Sequence, residues 1–200
     1  ADGTMSLRLV NEKAAAGRQL TQVYSIPPGT AGFSLSLKCL NADRKMPDSF
    51  YDLRWHPELR IGGGADSGDL FVLPVADGVK TMNFRASSTG ISNPPSGDWA
   101  AVVDPNEKLT YVTAFDRKQV SRVYIWEAQK FYTMEIFAPH TKVPAGQSLD
   151  MNLAFYFLRG LTGLDAFSGG IGVQLDFKAN VDQTLPVAFP VYVASAFETS

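Results

Sequence analysis

Apolar and polar residues alternate along much of the chain, and this period of two is typical of β-strands with one buried face. Short runs of such positions are bounded by Gly, Pro and Asn. Only residues 12–18, which include three consecutive alanines, hint at a helical turn. The alternation predicts strands over residues 6–10, 33–39, 109–115, 120–126, 131–137, 149–158, 172–177 and 187–197.

Turn-forming residues separate these strands throughout the chain. Repeated short strands with such punctuation favour an antiparallel sandwich over alternating strands and helices. The groups lie at residues 27–29, 62–64, 93–97, 104–106, 144–146 and 169–170. We therefore predict an all-β fold, an antiparallel β-sandwich formed by residues 1–200 as a single domain.

The segment 131–137 carries a carboxylate on an aromatic strand face. Alternation places Glu135 on the same face as Phe131, Thr133 and Phe137, and Tyr132 on the opposite face. Glu135 then either faces solvent beside exposed rings or lies in a pocket, where it becomes a candidate general base.

The composition excludes several classes of partner. The net charge of −2 provides no basic surplus for phosphates, so we expect no nucleic acid. No apolar run approaches the roughly 18 residues of a membrane helix, so we expect no membrane partner. Two histidines and one cysteine, without nucleotide-binding motifs, predict neither a metal site nor a cofactor. Cys39 lies on the apolar phase of its strand and is expected to be a core thiol.

Two groups of residues could carry chemistry. His56 follows Arg54 and a tryptophan and precedes the glycines at 62–64, which form a flexible loop. Aromatic side chains stack on the apolar faces of sugar rings, although they more often pack in cores. The aromatic candidates are Trp99, Tyr124, Trp126 and Tyr132.

Three segments resemble the galactose mutarotase-like (aldose 1-epimerase-like) superfamily. Residues 56–72 are similar to its His-Pro segment, which is followed by a glycine and a short strand. Residues 132–157 resemble its closing segment, where a glutamate strand precedes a Pro/Gly turn and a Tyr/Phe-rich strand. Residues 99–126 resemble the middle of its uncharacterised secreted bacterial members. The resemblance covers about residues 52–160; Glu58 and Leu59 replace the family's Tyr-Phe after His-Pro.

The resemblance implies a supersandwich that binds a sugar in a cleft on its concave sheet. His56 matches the family's general acid, which protonates the ring oxygen. Glu135 matches its general base, which takes the proton of the anomeric hydroxyl. We expect Arg54, Trp99, Trp126 and Tyr132 to bind the substrate. The implied function is carbohydrate binding with interconversion of anomers.

Two other functions remain open. A non-catalytic carbohydrate-binding or structural sandwich would use the same aromatic residues, with Glu135 only as a hydrogen-bond acceptor. A polysaccharide lyase-like protein would need a base and a charge neutraliser, for which Tyr132 and Arg54 are the candidates. Fold alone does not decide among these functions.

The start of the chain and its strand edges lead to two further expectations. Residues 1–4 fit either the remnant of signal-peptide cleavage or a remnant of recombinant expression, and the first of these predicts a secreted or periplasmic protein. A supersandwich without its first strands would leave unpaired edges. We therefore expect the chain either to form a homo-oligomer through a sheet edge or to be part of a longer chain.

Overall fold

The computed structural model describes residues 2–11, 17–42, 48–63, 68–83, 91–128, 131–176 and 190–197, and these residues are mostly β-strand. The described residues contain no α-helix, only one 3-10 turn at Arg117–Gln119. The predicted helical turn at 12–18 lies largely outside them. The strands are β1 (Met5–Asn11), β2 (Arg18–Ile26), β3 (Gly32–Asn41), β4 (Asp48–Tyr51), β5 (Arg54–Trp55), β6 (Glu58–Leu59), β7 (Leu70–Val75), β8 (Gly78–Asn83), β9 (Ile91–Asn93), β10 (Trp99–Asp104), β11 (Leu109–Phe115), β12 (Arg122–Ala128), β13 (Phe131–Phe137), β14 (Thr141–Pro144), β15 (Ser148–Arg159), β16 (Ala166–Ser168), β17 (Ile171–Leu175) and β18 (Val191–Ser195).

The strands form two large antiparallel sheets. The eight-stranded sheet has the order β1-β2-β3-β15-β11-β10-β7-β8. The smaller sheet has the order β5-β13-β12-β9, with β6 also pairing with β13. Strands β4 and β14 form a separate pair, and β16, β17 and β18 form a three-stranded sheet. The prediction of an antiparallel all-β sandwich is confirmed.

The main hydrophobic core lies between the two large sheets. Each strand contributes the alternate residues that face inward, as the period of two requires. The smaller sheet supplies Val123 and Ile125 from β12 and Tyr132, Met134 and Ile136 from β13. The larger sheet supplies Leu35, Leu37, Phe71, Leu73, Ala100, Val102, Tyr111, Phe115, Met151, Leu153 and Phe155.

A second core covers part of the opposite face of the eight-stranded sheet. Trp99, Ala101 and Val103 of β10 point into it, and Phe167 and Ala194 of the three-stranded sheet close it. All six residues of β10 are consequently buried. This burial on both faces explains why residues 99–104 lack the alternation found elsewhere.

An aromatic cluster joins the two sheets, with Phe155 fully buried and its other rings at least partly packed against the main core. The Phe155 ring stacks on Phe33 at 4.5 Å and on Tyr111 at 5.9 Å, measured between ring centroids. Trp55, from the smaller sheet, approaches Phe155 at 5.8 Å and Tyr24 at 6.4 Å. The strand β5 is thus attached to the core through its tryptophan.

Cys39 lies at the margin of the main core, half-buried against it rather than fully enclosed. Burial raises the pKa of its thiol, and the charge of Arg18 opposes that shift. A raised pKa keeps the thiol protonated near neutral pH, and a protonated thiol is a poor nucleophile. The structure therefore supports the expectation of a packing role for Cys39.

Removing the Phe155 ring should destabilise the fold strongly. Phe155 is fully buried, and Phe157, two residues along the same strand, is 46% exposed. We expect Phe155→Ala to lower the free energy of unfolding by about 3–5 kcal/mol, because it deletes stacking and leaves a cavity. Phe157→Ala should cost no more than about 1 kcal/mol. Urea unfolding of both variants measures the difference, and equal losses would contradict this account of the core.

Candidate functional site

The outer face of the smaller sheet, directed away from the main core, carries a buried carboxylate. Glu135 lies in the middle of β13, and only 4% of its surface is exposed. Thr133, on the same strand face, is 1% exposed, although it too points away from the core. A buried carboxylate requires charged or hydrogen-bonding partners, and neighbouring strands supply them here.

Both carboxylate oxygens of Glu135 have partners. Arg54 donates from Nη1 to Oε2 over 2.9 Å, which is a charge-assisted hydrogen bond. The Thr133 hydroxyl donates to Oε1 over 3.3 Å. The Nε2 atom of His56 lies 3.6 Å from the same Oε1. The structure thus brings Arg54, His56 and Glu135, all selected from the sequence, into one cluster.

Local sequence explains why Arg54 and His56 face Glu135. Trp55 points inward to the aromatic cluster, so alternation directs the residues on either side of it outward. Strands β5 and β6 pair with β13 in a single register, which aligns His56 with Glu135. Pro57 lacks a backbone N–H and interrupts the strand between β5 and β6. His56 therefore sits at a break in the edge of the sheet.

The Arg54 and His56 side chains remain accessible although their partner is buried. About half of the Arg54 side chain and 42% of the His56 side chain are exposed, against 6% for Glu135. A ligand on this face would therefore meet the imidazole and the guanidinium first. The ligand would interact with the carboxylate beneath them either by way of His56 or after displacing His56.

Aromatic residues surround the cluster on the same face. Tyr124 of β12 lies directly opposite Glu135 in the strand register, and Trp126 lies opposite Thr133. The Trp126 ring meets Phe131 edge-on at 5.7 Å between centroids. Tyr124 and Trp126 are both half-buried, so parts of their rings remain open to solvent. Partly exposed rings beside hydrogen-bonding groups offer both an apolar face and polar partners to a ligand.

Two arginines border this surface at Phe137. The guanidinium carbon of Arg122 lies 4.1 Å from the centre of the Phe137 ring, and that of Arg54 lies 5.7 Å from it. Both distances fall within the range of cation–π attraction. These contacts hold Phe137 and the two guanidinium groups at one end of the face.

Trp126 lies at this site, but two other predicted substrate-binding residues lie elsewhere. Tyr132 is fully buried in the main core, on the opposite face of β13 from Glu135. Trp99 is 5% exposed and packs edge-on against Phe167 in the second core. Neither side chain reaches the outer face of the smaller sheet, so neither belongs to the candidate site. Tyr132 and Arg54 also lie on opposite faces, which argues against the lyase-like pairing.

The sequence does not predict Thr133 as a site residue, and it presents Tyr124 only as one of the aromatic candidates. Alternation placed Thr133 on the face of Glu135, but a threonine carries no distinctive signal for hydrogen bonding to a carboxylate. Tyr124 becomes a neighbour of Glu135 only through the pairing of β12 with β13. A hairpin of β12 and β13 would predict from the sequence that Tyr124 lies opposite Glu135. The two residues between the strands, however, are not the Asn-Gly or Asp-Gly pair that usually marks such a hairpin.

The described part of the chain shows no group of three or more side chains suited to a metal ion. Within the same residues, no helix is long and apolar enough to cross a membrane.

Comparison with solved structures identifies the fold. A protein assigned as an aldose 1-epimerase from Klebsiella pneumoniae superposes with a TM-score of 0.65 at 15% sequence identity. A second, from Escherichia coli K12, gives 0.58 at 9% identity. Each match covers 78% of this chain, but only 51% and 66% of the two proteins. This chain therefore spans between half and two thirds of their length.

A third solved structure matches this chain over a smaller share of its own length. A TPR-domain containing protein from Parabacteroides distasonis gives a TM-score of 0.58 at 9% identity, over 92% of this chain and 38% of that protein. No protein-family model and no curated protein sequence matches the chain. The chain has the fold of the aldose 1-epimerases and galactose mutarotase-like proteins, as its sequence resemblance implies.

Proposed function

We propose that the chain binds a carbohydrate on the outer face of the smaller sheet and interconverts the anomers of an aldose there. The observation that carries the proposal is the contact of the buried Glu135 carboxylate with His56, on a face lined by partly exposed aromatic residues. The fold shared with aldose 1-epimerases supports a carbohydrate ligand. This fold alone does not decide the chemistry, so the proposal rests on the site.

The reaction requires one base and one acid at a single carbon. Glu135 Oε1 would take the proton of the anomeric hydroxyl while the protonated His56 gives its Nε2 proton to the ring oxygen. The bond between the anomeric carbon and the ring oxygen then breaks, and the hydroxyl oxygen becomes a carbonyl. Rotation, ring closure on the other side and return of both protons complete the cycle with no net change in composition.

The distance between the two groups suits this chemistry. The anomeric hydroxyl and the ring oxygen are attached to the same carbon, so the groups that serve them must be neighbours. His56 Nε2 and Glu135 Oε1 are 3.6 Å apart. A sugar that binds between them would replace this contact with two hydrogen bonds. The substrate must part the two groups in order to reach both of them.

Arg54 has a positioning role in this proposal. Its hydrogen bond to Oε2 fixes the carboxylate plane and leaves Oε1 directed toward His56. Thr133 supports Oε1 from within the sheet. Partly exposed Tyr124 and Trp126 would stack against the sugar ring or donate hydrogen bonds to its hydroxyl groups.

Non-catalytic carbohydrate binding is the second candidate function. Arg54 and Thr133 already occupy both oxygens of Glu135, which is an arrangement that also serves a purely structural carboxylate. The match to part of a TPR-domain containing protein indicates that this fold also occurs as one portion of larger chains. In this case the aromatic face would bind glycan, and Glu135 would only accept hydrogen bonds.

Replacing Glu135 with Gln tests the catalytic proposal. The substitution keeps the shape of the side chain and removes the base, so we expect the rate of mutarotation to fall by at least about 100-fold. Polarimetry of freshly dissolved α-D-glucose and α-D-galactose measures the rate. Asp150→Asn, an exposed carboxylate on the eight-stranded sheet, is the matched control and should leave the rate unchanged.

The wild-type protein decides between the two functions. If it accelerates the mutarotation of neither these sugars nor any other common aldose, the catalytic proposal fails. Glycan binding without turnover, weakened by Glu135→Gln, would support the binding function instead. Thermal melting of each variant separates a lost site from a lost fold.

Replacing Trp126 with Ala tests the aromatic surface. The loss of a stacking ring should weaken sugar binding by about tenfold, which corresponds to about 1.4 kcal/mol. Isothermal titration calorimetry with a sugar that the wild-type protein binds measures the change. Phe157→Ala removes an exposed ring from the other sheet and should bind like the wild type. If Trp126→Ala binds the sugar as tightly as the wild type does, this aromatic surface takes no part in sugar binding.

A further inference from the structure

The outermost strand of the eight-stranded sheet leaves one long edge open. Strand β1 pairs with β2 on one side, and within the described residues no strand pairs with its other side. Alternate residues of this seven-residue strand therefore present their backbone N–H and C=O groups along the open edge, while the residues between them face β2. Proteins usually shorten, interrupt or charge such edges to prevent pairing with other chains.

The inner face of β1 is apolar and uncovered. Met5, Leu7 and Leu9 are 66%, 57% and 47% exposed, although the strand register aligns them with the inner face of the sheet. The smaller sheet has fewer strands than the eight-stranded sheet, and it contributes Trp55 to the residues that line the space beside β1. An open groove of about 440 Å³ results, lined by Met5, Ser6, Leu7, Tyr24, Ile26, Phe33 and Trp55.

The other edge strand of the same sheet is protected. In β8 the inner-facing position opposite Leu73 is Lys80, an inward-directed charge of the kind that prevents edge pairing. The smaller sheet also has short edges, because β9 has three residues and Pro57 separates β5 from β6. Among the described edge strands β1 is the longest, and it combines an open edge with an apolar inner row at Met5, Leu7 and Leu9.

We propose that a second copy of this chain occupies the edge of β1, in antiparallel pairing about a two-fold axis at Leu7. This arrangement continues the sheet from one protomer into its partner and pairs the open backbone groups of both. It also joins the two apolar rows into one surface. The inference is independent of the sugar chemistry and specifies the edge and register of the expected homo-oligomer.

The side chains of β1 favour an axis at Leu7. Antiparallel pairing there sets Leu7 opposite its own copy and Met5 opposite Leu9, so apolar residues meet along the whole inner row. On the other face Ser6 lies opposite Arg8, which pairs a cation with a neutral hydroxyl group. An axis at Arg8 would instead place two guanidinium groups directly opposite each other, which is unfavourable.

Cysteine pairing tests the register directly, in a Cys39→Ser background. Residues opposite each other in antiparallel strands have Cα atoms about 4.5–5.5 Å apart, which is within disulfide range. Leu7→Cys should form a disulfide-linked dimer under mild oxidation. Leu9→Cys alone should not, because the two copies of residue 9 lie about 13 Å apart along the strands. Met5→Cys combined with Leu9→Cys should link again. Linkage by Leu9→Cys alone with none by Leu7→Cys would overturn the register.

The oligomeric state tests the interface itself. We expect light scattering coupled to size-exclusion chromatography to show a dimer for the wild type and a monomer for Leu7→Asp. Val79→Asp, at an exposed apolar position on the protected edge strand β8, is the control and should remain dimeric. A wild-type monomer at all concentrations up to about 100 µM, or a Leu7→Asp dimer, would overturn the proposal, since typical specific interfaces persist at micromolar concentrations. A melting temperature close to the wild type would confirm that Leu7→Asp still folds.

Discussion

The packing of Trp55 against Phe155 determines the orientation of the whole candidate site. Its ring closes the aromatic cluster between the two sheets at 5.8 Å. Because side chains alternate along a strand, an inward tryptophan forces Arg54 and His56 outward. The shared register of β5 and β6 then brings both residues to Glu135. A contact in the hydrophobic core thus sets the geometry of the polar groups on the opposite face.

The sequence predicts the fold class well because period-two alternation follows from burying one face of a strand. The predicted strands at 109–115 and 131–137 coincide with β11 and β13. Alternation does not reveal strands buried on both faces, such as β10, or the two-residue strands beside Pro57. It also does not give strand order, because β3 pairs with β15 through contacts between residues far apart in the chain.

The candidate site was predictable where local pattern and chemistry agree. Alternation alone places Glu135 outward from the core and Tyr132 inward, so the tyrosine could have been rejected from the sequence. The burial of Trp99 could not be predicted in this way, because it depends on the three-stranded sheet that covers the second core. The proximity of Arg54 and His56 to Glu135 depends on strand register over a long separation, for which local periodicity carries no information.

The separation of core and surface along β13 has an evolutionary consequence. Even-numbered residues of this strand lie in the main core, while its odd-numbered residues lie on the outer face where we propose that the ligand binds. Substitutions at outward positions of this sheet, such as Trp126 of the neighbouring β12, would therefore change the proposed binding face with little effect on the core. Such a sheet can diversify its specificity while its architecture stays constant. That independence fits a fold that persists among proteins with only 9–15% sequence identity to this chain.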